Sequence, residues 1–233
     1  METQNRSATL PQPYGSAGEL LATHKVLRNT YMLLAVTLLF SGLTAALSLA
    51  IQPPRFTGLV TSLAAMALIW FALPRTANSE KGLYVVFAVT GLLGFGLGPM
   101  LSHYLKMPNG GQLVMTALGG TGLIFAALSG YVLTTRKDFS FMGGFLMTGV
   151  MVLLLASLGV VGASFFGVNV SGAFIAISAV SMLLFSGLIL FDTSRIINGG
   201  ETNYIMATIS LYLNIYNLFT SLLHLLGFAS SDD

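Results

Sequence analysis

The chain has 233 residues, of which 55% are hydrophobic and only 8% charged, and its formal net charge is +2. A soluble domain normally carries about a quarter charged residues, because its surface faces water. So few charges cannot cover a water-facing surface, and lipid is the expected solvent. The ten basic residues are scattered along the chain, which excludes a nucleic-acid groove. Because there is no cysteine, disulfides, thiolate metal sites and cysteine nucleophiles are also excluded.

Seven apolar runs are long enough to cross a membrane as helices, since about 20 residues span about 30 Å of hydrocarbon. Charged, proline-containing or glycine-rich stretches separate most of them, and the weakest break, at 167–169, carries no charge. The sequence therefore predicts an all-α integral membrane protein with seven transmembrane helices. Their approximate bounds are 30–51, 57–74, 82–105, 111–134, 141–166, 170–192 and 204–228.

The segment that precedes the first span is polar and contains prolines. We therefore expect residues 1–22 to form a disordered cytoplasmic tail, residues 23–229 the seven-helix transmembrane domain, and residues 230–233 a periplasmic C-terminus. No small-residue cleavage pattern follows the apolar run that begins near Thr30, so this run is predicted to remain as a permanent anchor.

Sidedness follows from lysine and arginine, which short cytoplasmic loops retain. With the N-terminus in the cytoplasm, eight of the ten basic residues lie on that side. An odd number of spans then places the C-terminus outside. Receptors coupled to G proteins have the opposite orientation, and retinal proteins need a lysine in the last helix, which 204–228 lacks. The cytoplasmic set is Arg6, Lys25, Arg28, Arg75, Lys81, Arg136, Lys137 and Arg195, and the other side has Arg55 and Lys106.

The seventh span carries a stripe of polar side chains. Ser210, Asn214, Asn217, Ser221 and His224 follow one another at intervals of 4, 3, 4 and 3 residues, which places them on one face of a helix. An unpartnered amide in hydrocarbon costs several kcal/mol. The stripe is therefore predicted to line the interior of the bundle.

Asp192 is the single acid near the core of a predicted span, where it ends the sixth helix. Ser178 and Ser181 precede it at helical spacing on the same face. Asp192 and Asn214 are equally far in sequence from Asn203, so an antiparallel hairpin places them at similar depth. We therefore predict a hydrogen bond between the two side chains.

These residues of the last two helices form what we call the polar seam, and three interpretations of it remain open. Its side chains can hold helices together, at about 0.6–2 kcal/mol for each hydrogen bond. They can line a proton-sensitive or ion-conducting path, since an acid inside a membrane usually has a function. They can also form an interaction surface within the membrane.

Enzymatic and metal sites are not predicted. An intramembrane aspartyl protease needs two acids, and only Asp192 is present. Ser129 and Ser186 are each followed by glycine, but both lack the preceding glycine that rhomboid-type nucleophile motifs show. The two other candidate metal ligands, His103 and His224, belong to the membrane face opposite Asp192 in this topology, so no metal site or other cofactor is expected.

A run of glycines with Pro99 in the third span predicts close helix packing rather than a nucleotide site, because no strand precedes it.

Five strings in this sequence are specific when taken together and in order, from about residue 20 to the C-terminus. They are Thr23–Tyr31, Thr135–Asp138 followed by Ser140-Phe141, Phe191–Thr193, Gly199–Ile205 and Ser210–Phe219. With these strings the chain resembles the Bax inhibitor family, and within it the bacterial YccA branch. The resemblance implies a fold in which six helices surround a central seventh.

The resemblance also implies two functions. Members of the wider family are pH-sensitive calcium leak channels, in which two acids share a proton and pair with a basic residue of the second helix. The first acid corresponds to Asp192, the second position to Asn214, and the basic residue lies near Arg75. Asn214 leaves only one titrating group, which weakens such a switch.

The YccA branch is instead a partner and inhibitor of the membrane-anchored, ATP-dependent zinc metalloprotease FtsH, recognised partly through the N-terminal tail. We therefore predict a regulator in the bacterial inner membrane that binds an FtsH-type protease and restrains degradation of membrane proteins, and that is not itself an enzyme. The alternative is a calcium or proton leak gated at Asp192, with Ca²⁺ only as a transient permeant ion.

Overall fold

The computed structural model describes residues 17–230, and all seven predicted spans are present as helices in that range. The prediction of an all-α integral membrane protein is thus confirmed. The helices are α1 (Ala17–Ile51), α2 (Thr57–Thr76), α3 (Lys81–Leu105), α4 (Gly110–Thr135), α5 (Gly143–Phe165), α6 (Ser171–Ile197) and α7 (Tyr204–Ala229).

The helix ends are marked by backbone conformation. A residue with positive φ stands in five of the connections, and a left-handed residue stops an α-helix. Two of them are glycines, Gly167 and Gly199, which adopt this conformation without strain. The other three are Gln52, Asn109 and Arg136.

Two helix ends differ from the sequence prediction. The first helix begins at Ala17, inside the range 1–22 that was predicted as a tail. Residues 1–16 and 231–233 lie outside the described residues, so predictions about them stay predictions. The sixth helix runs on to Ile197, because no glycine or proline occurs between Asp192 and Gly199. Asp192 therefore lies inside α6 rather than at its end.

The seventh helix is the centre of the bundle. It packs against α1, α3, α4 and α6, while α2 packs against α3 and α5 packs against α6. In the most apolar 18-residue stretch of each span, half of the residues of α7 are buried, compared with 6% in α5. The central position that the family resemblance implies for this helix is thus present.

Glycines allow the helices around α3 to approach closely. A Cβ atom on Gly58 of α2 would lie 2.9 Å from the carbonyl oxygen of Gly96 of α3. A Cβ atom on Gly98 would collide with the Ser48 side chain of α1. The glycine run therefore serves close packing, as its sequence predicts.

The second span is not a uniform α-helix. Its segment Leu68–Ala72 is a π-helical turn, which lies between the α-helical segments Thr57–Ala67 and Leu73–Thr76. Pro74 follows directly, near the start of the last segment.

Each helix crosses the bundle once, so the connections fall into two groups. We call the side with connections 52–56, 106–109 and 166–170 the Arg55 end. The opposite side, with connections 77–80, 136–142 and 198–203, is the Asn203 end. By the distribution of basic residues, the Asn203 end is predicted to face the cytoplasm.

Candidate functional site

Asp192 and Asn214 meet between the two helices of the α6–α7 hairpin. Nδ2 of Asn214 donates a hydrogen bond of 2.7 Å to Oδ2 of Asp192. Asn214 is buried, with 5% of its surface exposed, and Asp192 is half-buried. The predicted hydrogen bond is therefore present, and within residues 17–230 it is the only one that Asp192 forms through its side chain.

Arg75 lies apart from this pair. Its Nη1 donates to the carbonyl oxygen of Phe71 at 2.7 Å, and the side chain is exposed at the end of α2. Among the described residues the one ion pair joins Arg195 and Glu201, at 3.5 Å. Arg75 therefore makes no ion pair with Asp192 in this structure, and the role that the resemblance implies for it stays a prediction.

Asn203 links the hairpin to the rest of the bundle. Its Oδ1 accepts hydrogen bonds from the backbone of Ile205 at 2.9 Å and Met206 at 3.2 Å, which caps the first turn of α7. Its Nδ2 donates to the carbonyl oxygen of Ala77 at 2.9 Å and to Oδ1 of Asn78 at 2.8 Å. One side chain thus starts the central helix and fixes it to the connection between α2 and α3.

The stripe on α7 faces the interior along only part of its length. Asn214 and Ser221 are buried, and Ser210 and Asn217 are half-buried. Asn217 donates to the carbonyl oxygen of Leu213 in its own helix, at 2.8 Å.

The structure corrects the prediction at the end of this stripe, because His224 is exposed. There α7 reaches the Arg55 end of the bundle, where the ring of Tyr104 lies 6.1 Å from that of His224. On α6, Ser178 is buried and Ser181 is half-buried, so this part of the polar seam turns toward neighbouring helices.

A polar contact that the sequence analysis missed lies at the centre of the bundle. The hydroxyl of Tyr212 donates to the carbonyl oxygen of Thr90 at 3.3 Å and accepts from Oγ of Ser41 at 2.6 Å. Tyr212 is 1% exposed, and the contact joins α7 to α1 and α3. A tyrosine within an apolar span signals such a contact, since its buried hydroxyl needs a partner.

The connection between α4 and α5 is fixed to α6. Oγ of Ser194 accepts from the backbone N–H of Phe139 at 2.9 Å and donates to Oδ1 of Asp138 at 3.4 Å. Hydrogen bonds from the hydroxyl and backbone N–H of Ser140 hold the pKa of Asp138 below its usual value. The loop that carries Arg136 and Lys137 is therefore ordered by its own carboxylate.

This arrangement sets limits on the chemistry of the seam. It contains one carboxylate, held by one neutral amide, so no second acid shares its proton. Within the described part of the chain there is no group of three or more histidine, aspartate or glutamate side chains that could hold a metal ion. What the seam offers is a half-buried acid at a helix contact.

These features define a class of protein, namely a seven-helix integral membrane protein with a polar central hairpin. A family model described as "Inhibitor of apoptosis-promoting Bax1" matches residues 23–231. The chain belongs to the Bax inhibitor family.

Several relatives resemble the chain over nearly its whole length. It is 52% identical to the "Modulator of FtsH protease YccA" of Escherichia coli K12, over 91% of this chain and 94% of that protein. It is 51% identical to an uncharacterized membrane protein of Vibrio cholerae, over 91% of this chain and 93% of the relative. In another strain of E. coli a relative with 52% identity is named "Inner membrane protein YccA".

Proposed function

We propose that this chain is an inner-membrane regulator that binds an FtsH-type protease and restrains its degradation of membrane proteins. The observation that carries the proposal is the 52% identity, over 91% of the chain, to a protein named as a modulator of FtsH. That name describes action on a protease rather than proteolysis, which agrees with a regulator that is not an enzyme.

We expect recognition at the end of the bundle where α1 begins. Helix α1 begins at the Asn203 end, and a cavity of about 670 Å³ lies there between α1 and α4. His24, Lys25 and Arg28 line this cavity together with apolar side chains. A hydrogen bond between the hydroxyls of Tyr31 and Ser129 joins the two helices there. We infer that the tail and this rim form one recognition surface on the cytoplasmic side.

The test is co-purification of the protease from membranes solubilised in mild detergent. Deletion of residues 2–16 removes only the part of the chain before α1, and should abolish co-purification. It should also shorten the lifetime of membrane substrates to that seen in cells without this protein. The matched control replaces residues 2–16 by a Gly-Ser linker of the same length.

Each outcome has a separate meaning. If the full chain retains no protease and does not change substrate lifetime, the proposed function is wrong. If the deleted chain binds as well as the full chain, the function stands but the tail is not the recognition element. If the linker variant binds and the deleted chain does not, length rather than sequence is recognised.

A second candidate function, a calcium or proton leak, is favoured by the half-buried carboxylate of Asp192. Vesicles that contain the purified protein and a calcium indicator test it. A leak gated at this residue should change in Asp192→Asn, and Asn214→Asp should increase its dependence on pH, because two adjacent carboxylates repel when both are ionised. Flux that is absent at every pH, or equal in all three proteins, would exclude this gate.

A further inference from the structure

The few basic residues of the Arg55 end are gathered at one place. Among the described residues, only Arg55 and Lys106 carry a permanent positive charge at this end. Arg55 precedes α2, and Lys106 follows α3 directly. Both line a single cavity of about 220 Å³, together with His103. Since loops on the non-cytoplasmic side usually have few basic residues, their convergence needs an explanation.

A second cavity continues the first one toward the central helix. It has a volume of about 370 Å³, shares Arg55, Pro99 and His103 with the first, and ends at His224 of α7. Gly58 and Gly96, whose backbones touch, form part of its wall. His224, the last residue of the polar seam, has an exposed side chain and thus belongs to this site.

The charges of this site have no counter-charge in the described structure. No aspartate or glutamate lines either cavity. Neither the side chain of Arg55 nor that of Lys106 makes a hydrogen bond or ion pair within residues 17–230, and both residues are exposed. Gln52 and Ser102, which also line the first cavity, add neutral donors. Guanidinium and ammonium groups that converge in this way suit an anion with several oxygen atoms, above all a phosphate.

The position of the site favours the phosphate of a lipid headgroup over free phosphate. Arg55 and Lys106 stand just beyond the ends of two membrane-spanning helices, where lipid headgroups lie. Beside Arg55, the apolar side chains of Phe56 and Leu59 are 66% and 67% exposed. They provide an apolar surface next to the basic groups, which a lipid tail would cover but a free phosphate would not.

We propose that the Arg55 end binds the phosphate of an anionic phospholipid. Arg55 and Lys106 are the charged donors, His103 and His224 extend the polar wall, and Phe56 and Leu59 contact an acyl chain. This site is independent of the proposed action on a protease, which we assign to the opposite end of the bundle.

The experiment measures binding of short-chain lipids to the full-length protein in a neutral detergent. The probes are dihexanoylphosphatidylglycerol, dihexanoylphosphatidylcholine and inorganic phosphate, and the readout is the saturable rise in the temperature of unfolding. The test variant is Arg55→Gln with Lys106→Gln. The matched control, Lys81→Gln with Arg136→Gln, removes the same charges from exposed positions at the other end.

We expect phosphatidylglycerol to bind, and the test variant to weaken its apparent affinity by at least about tenfold, since two charge-assisted contacts are lost. The control should stay within about twofold, since its charges are distant and screened. Equal affinity in the test variant and the native chain would overturn the proposal. So would inorganic phosphate that binds as tightly as the lipid, because the ligand would then be free phosphate.

Two further measurements keep the test decisive. If the double variant does not fold, the affinity of the native chain for phosphatidylglycerol must fall as the salt concentration rises, and an affinity independent of salt overturns the proposal. The segment 231–233, which follows α7 in the sequence, contains Asp232 and Asp233. If lipid binds only after these residues are deleted, the site serves the chain's own carboxylates and the proposal fails.

Discussion

The two ends of this helix bundle hold their polar groups in different ways. At the Asn203 end several polar side chains are bonded within the chain: Asn203 to the connection between α2 and α3, Ser194 to the connection between α4 and α5, and Arg195 to Glu201. At the Arg55 end the basic side chains line cavities and make no such bonds within the described residues. The first pattern is what stability requires, and the second leaves donors free for a ligand.

Bonded and unbonded polar groups also differ in what they indicate about function. A fully bonded polar group already has a structural explanation, because burial without partners would be costly. A group of like charges without partners in the chain has no such structural explanation. We therefore expect a ligand from outside the chain to bind it. The polar seam is of the first kind near Asn214.

The largest effect should come from separating α2 and α3 at the Arg55 end. In Gly58→Val the new side chain meets the carbonyl oxygen of Gly96, which is backbone and cannot rotate away. Overpacking of this kind costs about 1–3 kcal/mol, so the midpoint of thermal unfolding should fall. Gly119→Val, on α4 with open space around its Cβ position, is the matched control. Equal stability of the two variants would show that the close contact is unimportant.

Removal of the Asn203 side chain, which links α7 to the connection between α2 and α3, should have the next largest effect. Asn203→Ala loses the cap of α7, worth about 1 kcal/mol, and two hydrogen bonds to the connection between α2 and α3. Asn78→Ala loses only one of these bonds and should destabilise less. The free energy of unfolding in detergent measures both. If Asn78→Ala were as harmful as Asn203→Ala, the cap would contribute nothing.

A smaller effect is expected at the centre, between the two ends. Tyr212→Phe removes the hydroxyl that joins α7 to Ser41 and Thr90, and hydrogen bonds between membrane helices are worth about 0.6 kcal/mol on average. Tyr216→Phe is the control, because the hydroxyl of Tyr216 has no hydrogen-bond partner among the described residues, while its ring stacks on Tyr212. Unfolding midpoints that fall equally in both variants would contradict this role of Tyr212.

The smallest effect concerns the exposed carboxylate of Asp138. Its pKa is lowered by the hydrogen bonds from Ser140, so the folded state is favoured above the usual pKa, and this contribution is lost as the pH falls through the lowered value. At neutral pH, Asp138→Asn should be slightly less stable than the native chain. In acid the two should converge. A difference that persists unchanged at low pH would assign the effect to something other than ionisation.

The fold and the hairpin contact could be predicted from the sequence because both depend on local regularities. A run of about 20 apolar residues is sufficient to identify a span, and a hairpin centred on Asn203 aligns Asp192 with Asn214. Two helix ends could not be predicted in this way, because α1 begins at Ala17 and α6 ends at Ile197, in polar segments beyond the apolar runs.

The contacts that could not be predicted join distant parts of the chain. Ser41, Thr90 and Tyr212 lie on three different helices, and only the packing of these helices brings them together. The sequence alone identifies Arg55 and Lys106 as the two basic residues on the side opposite the other eight. Their convergence on one cavity depends on how closely α2 and α3 approach.

The π-helical turn of α2 has a consequence for how this helix tolerates changes in length. A π turn contains one residue more than the same length of α-helical register requires. Deleting a single residue within Leu68–Ala72 would convert it to an ordinary turn and keep the register of Thr57–Ala67 on one side and Leu73–Thr76 on the other. In an otherwise tightly packed bundle, this segment is the place where the chain can lose a residue and still cross the membrane with both ends in position.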